Sequence, residues 1–232
     1  MKDQSLLLPG IPLKTRHPEA RQTAFVIGSG EWYRKSFMRF RDILKSILNS
    51  LCVIAIFPLF AVHCILGGLR NKDSSFWAFS QFLSLFPGLL GNYLRKSFYR
   101  LSMTRCDKDC AILFGTIFSQ ADTEIGKGVY IGPNCNIGRC RIEDHCTLGS
   151  NVHIMSGKQQ HHFDDLDTPV QDQGGVFGKK VIGEDTWIGN SALVMANVGK
   201  KCIVGAGSVV TKDVGDFSII AGNPARVVRK RI

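Results

Sequence analysis

Acidic residues are the minority charge in this chain: 19 Asp and Glu stand against 29 Lys and Arg, a formal net charge of +10. That deficit favours anionic partners, whether nucleic acid, an anionic membrane face or a phosphorylated ligand. CxxC pairs are lacking too. None of the eight cysteines, at 52, 64, 106, 110, 135, 140, 146 and 202, forms one, and Cys135, Cys140 and Cys146 lack metal-site spacing. Residues 1–30 lack an early apolar run followed by a cleavage site. Reduced thiols and a cytosolic catalytic part are therefore expected. Charge of either sign is missing from the 24 residues 46–69.

That uncharged stretch contains LCVIAIFPLF and AVHCILGGL. As one straight helix it would reach about 36 Å, against a hydrocarbon core of about 30 Å. Pro58 falls in its middle, where it would kink a helix. Basic residues flank both ends, Arg34, Lys35, Arg39, Arg41 and Lys45 before and Arg70 and Lys72 after. Such clusters belong on the cytoplasmic side, so a re-entrant hairpin bent near Pro58 satisfies both ends where a single span satisfies one. A buried helix hairpin of a soluble protein is the alternative. In the next stretch Leu90, Leu94, Phe98 and Leu101 fall at helical spacing, with Arg95, Lys96 and Arg100 off that face. This pattern predicts a basic amphipathic helix lying in a membrane interface, compatible with one that caps the following domain. GSG at 28–30 has no βαβ context and carries no nucleotide role.

From residue 125 a six-residue beat begins. Ile125-Gly126, Ile131-Gly132, Ile137-Gly138, Leu148-Gly149, Ile182-Gly183, Ile188-Gly189, Val198-Gly199 and Val204-Gly205 mark it, with Ile142-Glu143 in one more slot. Six is too long for strand alternation and does not match a helix. It fits a parallel β-helix of short strands and tight corners. The glycines are expected at corners that need unusual backbone angles. Four residues after each apolar marker comes a second inward position, held by Val129, Cys135, Cys146, Val152, Thr186, Ala192, Cys202 and Ser208. Three of the cysteines thus read as small core hydrophobes.

The runs GEDTWIGNSALVM, VGAGSVVTKDV and AGNPARVV make the reading specific. With them, residues 112–228 resemble the hexapeptide-repeat acyltransferases, including the xenobiotic, maltose and serine acetyltransferases. PGLLGNYLRKSFYR and GVYIGPNCNIG are similar to a membrane-associated branch found with polysaccharide biosynthesis. The resemblance implies a mainly β fold, a left-handed parallel β-helix, with an N-terminal helical membrane-associated region. It implies a homotrimer, acetyl-CoA as donor and no metal. The expected organisation is an extension over 1–45, a membrane-associated helical region over 46–104, the β-helix over 105–222 and a basic tail over 223–232.

Between Ile154 and Ile182 the beat is broken by a polar loop, residues 156–181, containing SGKQQHHFDD. A loop this long inside a compact fold is usually functional or disordered. In the resembling family an extruded loop carries the catalytic histidine. The matching residue after Ser-Gly is His161, with His162 as fallback. A neutral imidazole can take the proton of a hydroxyl as it attacks a thioester. Asp164, Asp165 and Asp167 could orient it or bind sugar hydroxyls, or be solvated loop charges. By the same resemblance Trp187, Gly189, Ala206 and Ser208 offer backbone groups to the pantetheine arm of CoA, and Lys212 and Arg226 contact its phosphates. Asn134 and Asn136 are acceptor-site candidates. A zinc site is not expected, because His145, His153 and His161 are not spaced for one.

The function expected is an O-acetyltransferase acting on a sugar hydroxyl of a polysaccharide or lipid-linked glycan. It would work at the cytoplasmic face of the inner membrane, with the lipid surface as a partner. A soluble acceptor such as serine, a small sugar or an antibiotic is the rival, and a non-catalytic scaffold another. Nucleic acid is not expected, since no DNA- or RNA-reading motif accompanies the charge.

Overall fold

The computed structural model describes residues 28–69 and 71–232. The extension expected over 1–45 lies mostly outside them. Three helices come first: α1 (Gly28–Leu69), α2 (Lys72–Ser84) and α3 (Gly88–Ser102). Short strands follow, in three parallel sheets that wind as a left-handed solenoid.

Each sheet contributes one inward ladder. Ile112, Ile131, Leu148, Ile188, Val204 and Ile220 stack in the first. Phe118, Ile137, Ile154, Val194 and Val210 form the second. Ile125, Ile142 and Ile182 run up the third, continued by Val198 and Val214. The apolar residue of each beat is therefore a rung, and nearly all are fully buried. Cys135, Cys140, Cys146 and Cys202 fill the interior between rungs, and burial raises each thiol above its ordinary pKa.

The glycines of the beat have a different reason from the one expected. Their φ angles are ordinary. What they lack is room: a Cβ on Gly189 would sit 2.6 Å from the backbone nitrogen of Ala206, and one on Gly132 2.7 Å from the carbonyl of Gly149. Coils stack too closely there for any side chain. The left-handed corner lies two residues on, held by Asn134, Asn151, Asp185, Ser191 and Lys201 at φ between 54° and 58°, and by Gly207.

The helices close the open edge of the first coil, whose backbone groups would otherwise lack partners. Asn92 accepts from the Ile112 N–H at 2.9 Å, Ser80 from the Phe118 N–H at 2.8 Å, and Asp73 from the Ala121 N–H at 2.9 Å. Arg95 donates to the carbonyls of Ile112, Leu83 and Phe86. Phe76, Leu83, Phe98 and Tyr99 plug the end of the core, with the Tyr99 and Phe118 rings edge to face at 4.8 Å. At the other end Ala225–Lys230 pairs antiparallel with Ser218–Gly222.

Three expectations are corrected. First, α1 runs through Pro58 without interruption; the chain leaves the helix only after Leu69, and the side chain of Asn71 caps α2 by accepting from the Asp73 and Ser74 N–H groups. One proline removes one helical hydrogen bond, and the rest hold. Second, Arg95 and Lys96 lie inside the protein and not on a solvated face; Lys96 sits 4.6 Å above the Tyr93 ring, and only Arg100 is exposed. Third, most of the stretch expected as a basic tail, 223–232, is strand.

Candidate active site

The loop that breaks the beat is inserted between the strands His153–Ile154 and Lys180–Ile182. The coil closes across it: Leu148 pairs with Ile188 and Ile154 with Val194 as if nothing intervened. The loop itself is a two-limbed ribbon. The Gly178 N–H donates to the Ser156 carbonyl, Val176 to Gln159, and His162 to Gly174. Gly175 is needed where the limbs meet, since a Cβ there would collide with the Gln160 carbonyl. Lys179 pins the returning limb to the strand Glu124–Ile125 and the residue shortly before it, bonding Asp122 at 2.5 Å and Glu124 at 2.9 Å. Arg139 also holds Asp122 and donates to the Phe177 carbonyl. The Lys179 bond, with help from Arg139 and against a smaller effect of burial, depresses the Asp122 carboxyl to about 2.

Two grooves flank the first limb. One, of about 840 Å³, lies along the outer face of the sheet holding Asn136, His153 and Leu193, and is walled by Gln160 and Phe177 of the loop and by Trp77 of α2. The other, of about 510 Å³, is lined by Lys158, Gln159, Lys180 and Lys212, with Met195 and Thr211. Residues 158–160 thus separate a groove with amide, imidazole and aromatic walls from one with three lysines. His161 and His162 follow at once, both exposed.

The expected site residues fall into two groups. Asn136 and Lys212 each line a groove. Trp187 is 54% exposed on the outer face of the neighbouring sheet, beside Thr147 and Ile203. Ala206 is exposed at a corner, and Arg226 on the last strand. The others are spent within the fold. Gly189 is buried by stacking. Ser208 is fully buried; its hydroxyl accepts from the Gly222 N–H, its N–H donates to Gly205 and its carbonyl accepts from Leu193. Asn134 is a left-handed corner outside either groove. Asp165 bonds the Thr168 hydroxyl and the Asp167 N–H within the loop. Sequence reasoning missed His153 as a groove residue and the joining of Lys158 and Lys180 to Lys212. The strand register, which brings His153 beside Asn136, was the signal that could have found the first. Among the described residues no group of three or more His, Cys, Asp or Glu could hold a metal ion.

Comparison with known proteins agrees with this architecture. A model described as bacterial transferase hexapeptide (six repeats) matches residues 122–156, and one described as hexapeptide repeat of succinyl-transferase matches 181–212. A chloramphenicol acetyltransferase of Agrobacterium fabrum is 33% identical over 118 residues, 44% of this chain and 56% of that protein. The chain spans about half the length of the curated relatives it matches. A hexapeptide-repeat acetyltransferase of Vibrio cholerae, complexed with acetyl-CoA, superposes with a TM-score of 0.58 at 19% identity, covering 72% of this chain and 92% of that one. A maltose O-acetyltransferase of Clostridium difficile gives 0.51 at 23%, covering 69% and 89%. At these identities the two structural likenesses are of fold. Two repeat matches and three stacked inward ladders show that residues 122–156 and 181–212 carry the hexapeptide repeats described for bacterial transferases, on a fold shared with acetyltransferases of known structure.

Proposed function

We propose that this chain is an acetyl-CoA-dependent O-acetyltransferase acting on a sugar hydroxyl of a polysaccharide or lipid-linked glycan precursor, at the cytoplasmic face of the cell membrane. One observation carries the reading: residues 158–160 stand between the lysine groove and the Asn136–His153 groove, and His161 follows them. Lys158, Lys180 and Lys212 suit the phosphates of CoA. Asn136 and His153 suit sugar hydroxyls. Trp187, Ala206 and Arg226 border the pantetheine and phosphate path in this reading, between coils of two subunits of a homotrimer.

His161, or His162 in its stead, takes the proton of the acceptor hydroxyl as its oxygen attacks the acetyl carbonyl carbon. A backbone N–H at a coil corner receives the developing oxyanion. The carbon–sulfur bond then breaks, CoA leaves as thiolate, and the imidazolium returns the proton to it. No acyl-enzyme forms. The named activities of the relatives support acetyl as the group moved. Those same names favour a soluble small acceptor as the second reading; the apolar Ile43–Leu69 segment of α1, little buried over its most apolar window, favours the membrane-linked one.

His161→Ala should lower kcat for acetyl transfer about 10²–10⁴-fold, the usual contribution of a general base, with KM for acetyl-CoA within about twofold. A loss confined to His162→Ala moves the role to His162. Unchanged rates in both variants contradict the mechanism.

A further inference from the structure

The Asn136–His153 groove does not end at the solenoid. Ser74 and Trp77 of α2 form its helical wall. Ser74 also stands at the mouth of a second groove, of about 430 Å³, cut between α1 and α2. The walls of that groove are mostly apolar: Leu59 and Leu66 from α1, and Ala78, Phe79 and Phe82 from α2, with Ser75 beside Ser74 as the polar members. One residue belongs to both grooves, and the neighbours Trp77 and Ala78 line one each. The two grooves therefore meet at Ser74, the first polar toward the solenoid and the second mostly apolar between the helices.

The place of the apolar end matters. Leu59 and Leu66 lie within Ile43–Leu69, a segment long and apolar enough to cross a membrane and only 17% buried over its most apolar window. In the membrane-linked reading, a groove walled by such a helix opens where hydrocarbon is the surrounding medium. Trp77, 48% exposed, stands at the junction, and an indole is suited to a boundary between apolar and wet surroundings. A polar head in one groove and a hydrocarbon chain in the other match this division.

We propose that the α1–α2 groove holds the hydrocarbon chain of a lipid-linked glycan while its sugar occupies the Asn136–His153 groove. The tail then selects the acceptor along with the sugar. This inference rests on the acceptor reading given above. It adds a tail site, which draws the acceptor laterally from the bilayer and holds its head over the solenoid.

The test uses the full chain in nanodiscs of phosphatidylethanolamine and phosphatidylglycerol. The probe is a farnesyl-phosphate-linked glucose with a diazirine on its chain. Irradiation should place label on peptides containing residues 59–66 and 78–82. Ala78→Trp, which fills the groove, should cut the label at least fivefold, and Ala78→Leu should cut it less. Ala78 is exposed, so both variants should keep the parent melting temperature. A tenfold excess of the unmodified farnesyl glycolipid should compete, and the same excess of phosphatidylglycerol should not. Label elsewhere, label unaffected by Ala78→Trp, or equal competition by phosphatidylglycerol overturns the tail site, the last by making the groove a surface for bulk lipid. Label in the groove with no acetyl transfer to any glycan sinks the acetyltransferase reading and leaves the tail site standing. Acetyl transfer into glycolipid with no label in the groove sinks the tail site alone.

Discussion

Gly189 and Gly207 occupy different positions of the solenoid corner, the beat position and the left-handed one two residues on, and are glycine for different reasons. A Cβ on Gly189 meets backbone atoms of the next coil at 2.6 Å, whereas a Cβ on Gly207 meets nothing within 4 Å, and its constraint is a φ of +67°. Asparagine tolerates that angle, and Asn134 and Asn151 already hold it at equivalent corners. Gly207→Asn should therefore leave the urea midpoint nearly unchanged. Gly189→Asn should lower stability by about 1–3 kcal/mol or more, as overpacking does. Equal effects would mean that stacking distance does not decide the glycine positions. The period of six showed that glycine recurs; it could not show which constraint each one meets, because that depends on the coil above. For the same reason Ser208 and Gly189 look available in sequence and are consumed in the fold, while His153, which the sequence places only within the regular repeats, lines a groove.

At the scale of elements, the loop is placed by its return limb. Asp122 and Glu124 hold Lys179, and Arg139 shares the Asp122 carboxylate. A carboxyl whose folded pKa is depressed stabilises above its ordinary pKa, near 3.8, and loses that contribution as pH falls toward about 2. Lys179 has the opposite sign: burial lowers it, the two carboxylates raise it, and the net is upward, so its contribution fades only in strong alkali. With the Asp122 side chain 40% exposed, the cluster is worth about 1 kcal/mol after screening. Asp122→Asn should cost that amount at pH 7 and progressively less as pH falls below 3.8 and through about 2, measured by denaturant unfolding. A cost independent of pH would remove the ion pairs from the account. This cluster was not legible in the sequence, since its members come from different coils. The solenoid was, because each apolar marker became a rung. The helical region was half legible. Its spacing found α3, yet a helical pattern does not say what the helix packs against, so Arg95 was read as outward when it binds three carbonyls of its surroundings.

The whole molecule joins a polar-lined solenoid to helices that expose apolar surface. Ile54, Phe57, Ile65 and Leu69 of α1 are exposed, as are Leu85, Leu89 and Leu90 where α2 passes into α3. Patches of this kind on a monomer mark an interaction surface. In the proposed trimer three such surfaces act together, and avidity exceeds that of one anchor. Membranes holding the chain should therefore keep it through a high-salt wash and release it only to detergent, as three copies of 25.7 kDa by light scattering corrected for detergent. Release by salt alone would mean that charge holds it there.

The most direct measurement follows labelled acetyl from acetyl-CoA in membranes of the native host, with extraction into lipid and aqueous phases. Wild type should place the label in the glycolipid phase, and His161→Ala, folded and still binding CoA, should abolish it. Label that appears only in the aqueous phase, or that appears equally with both proteins, would contradict the account.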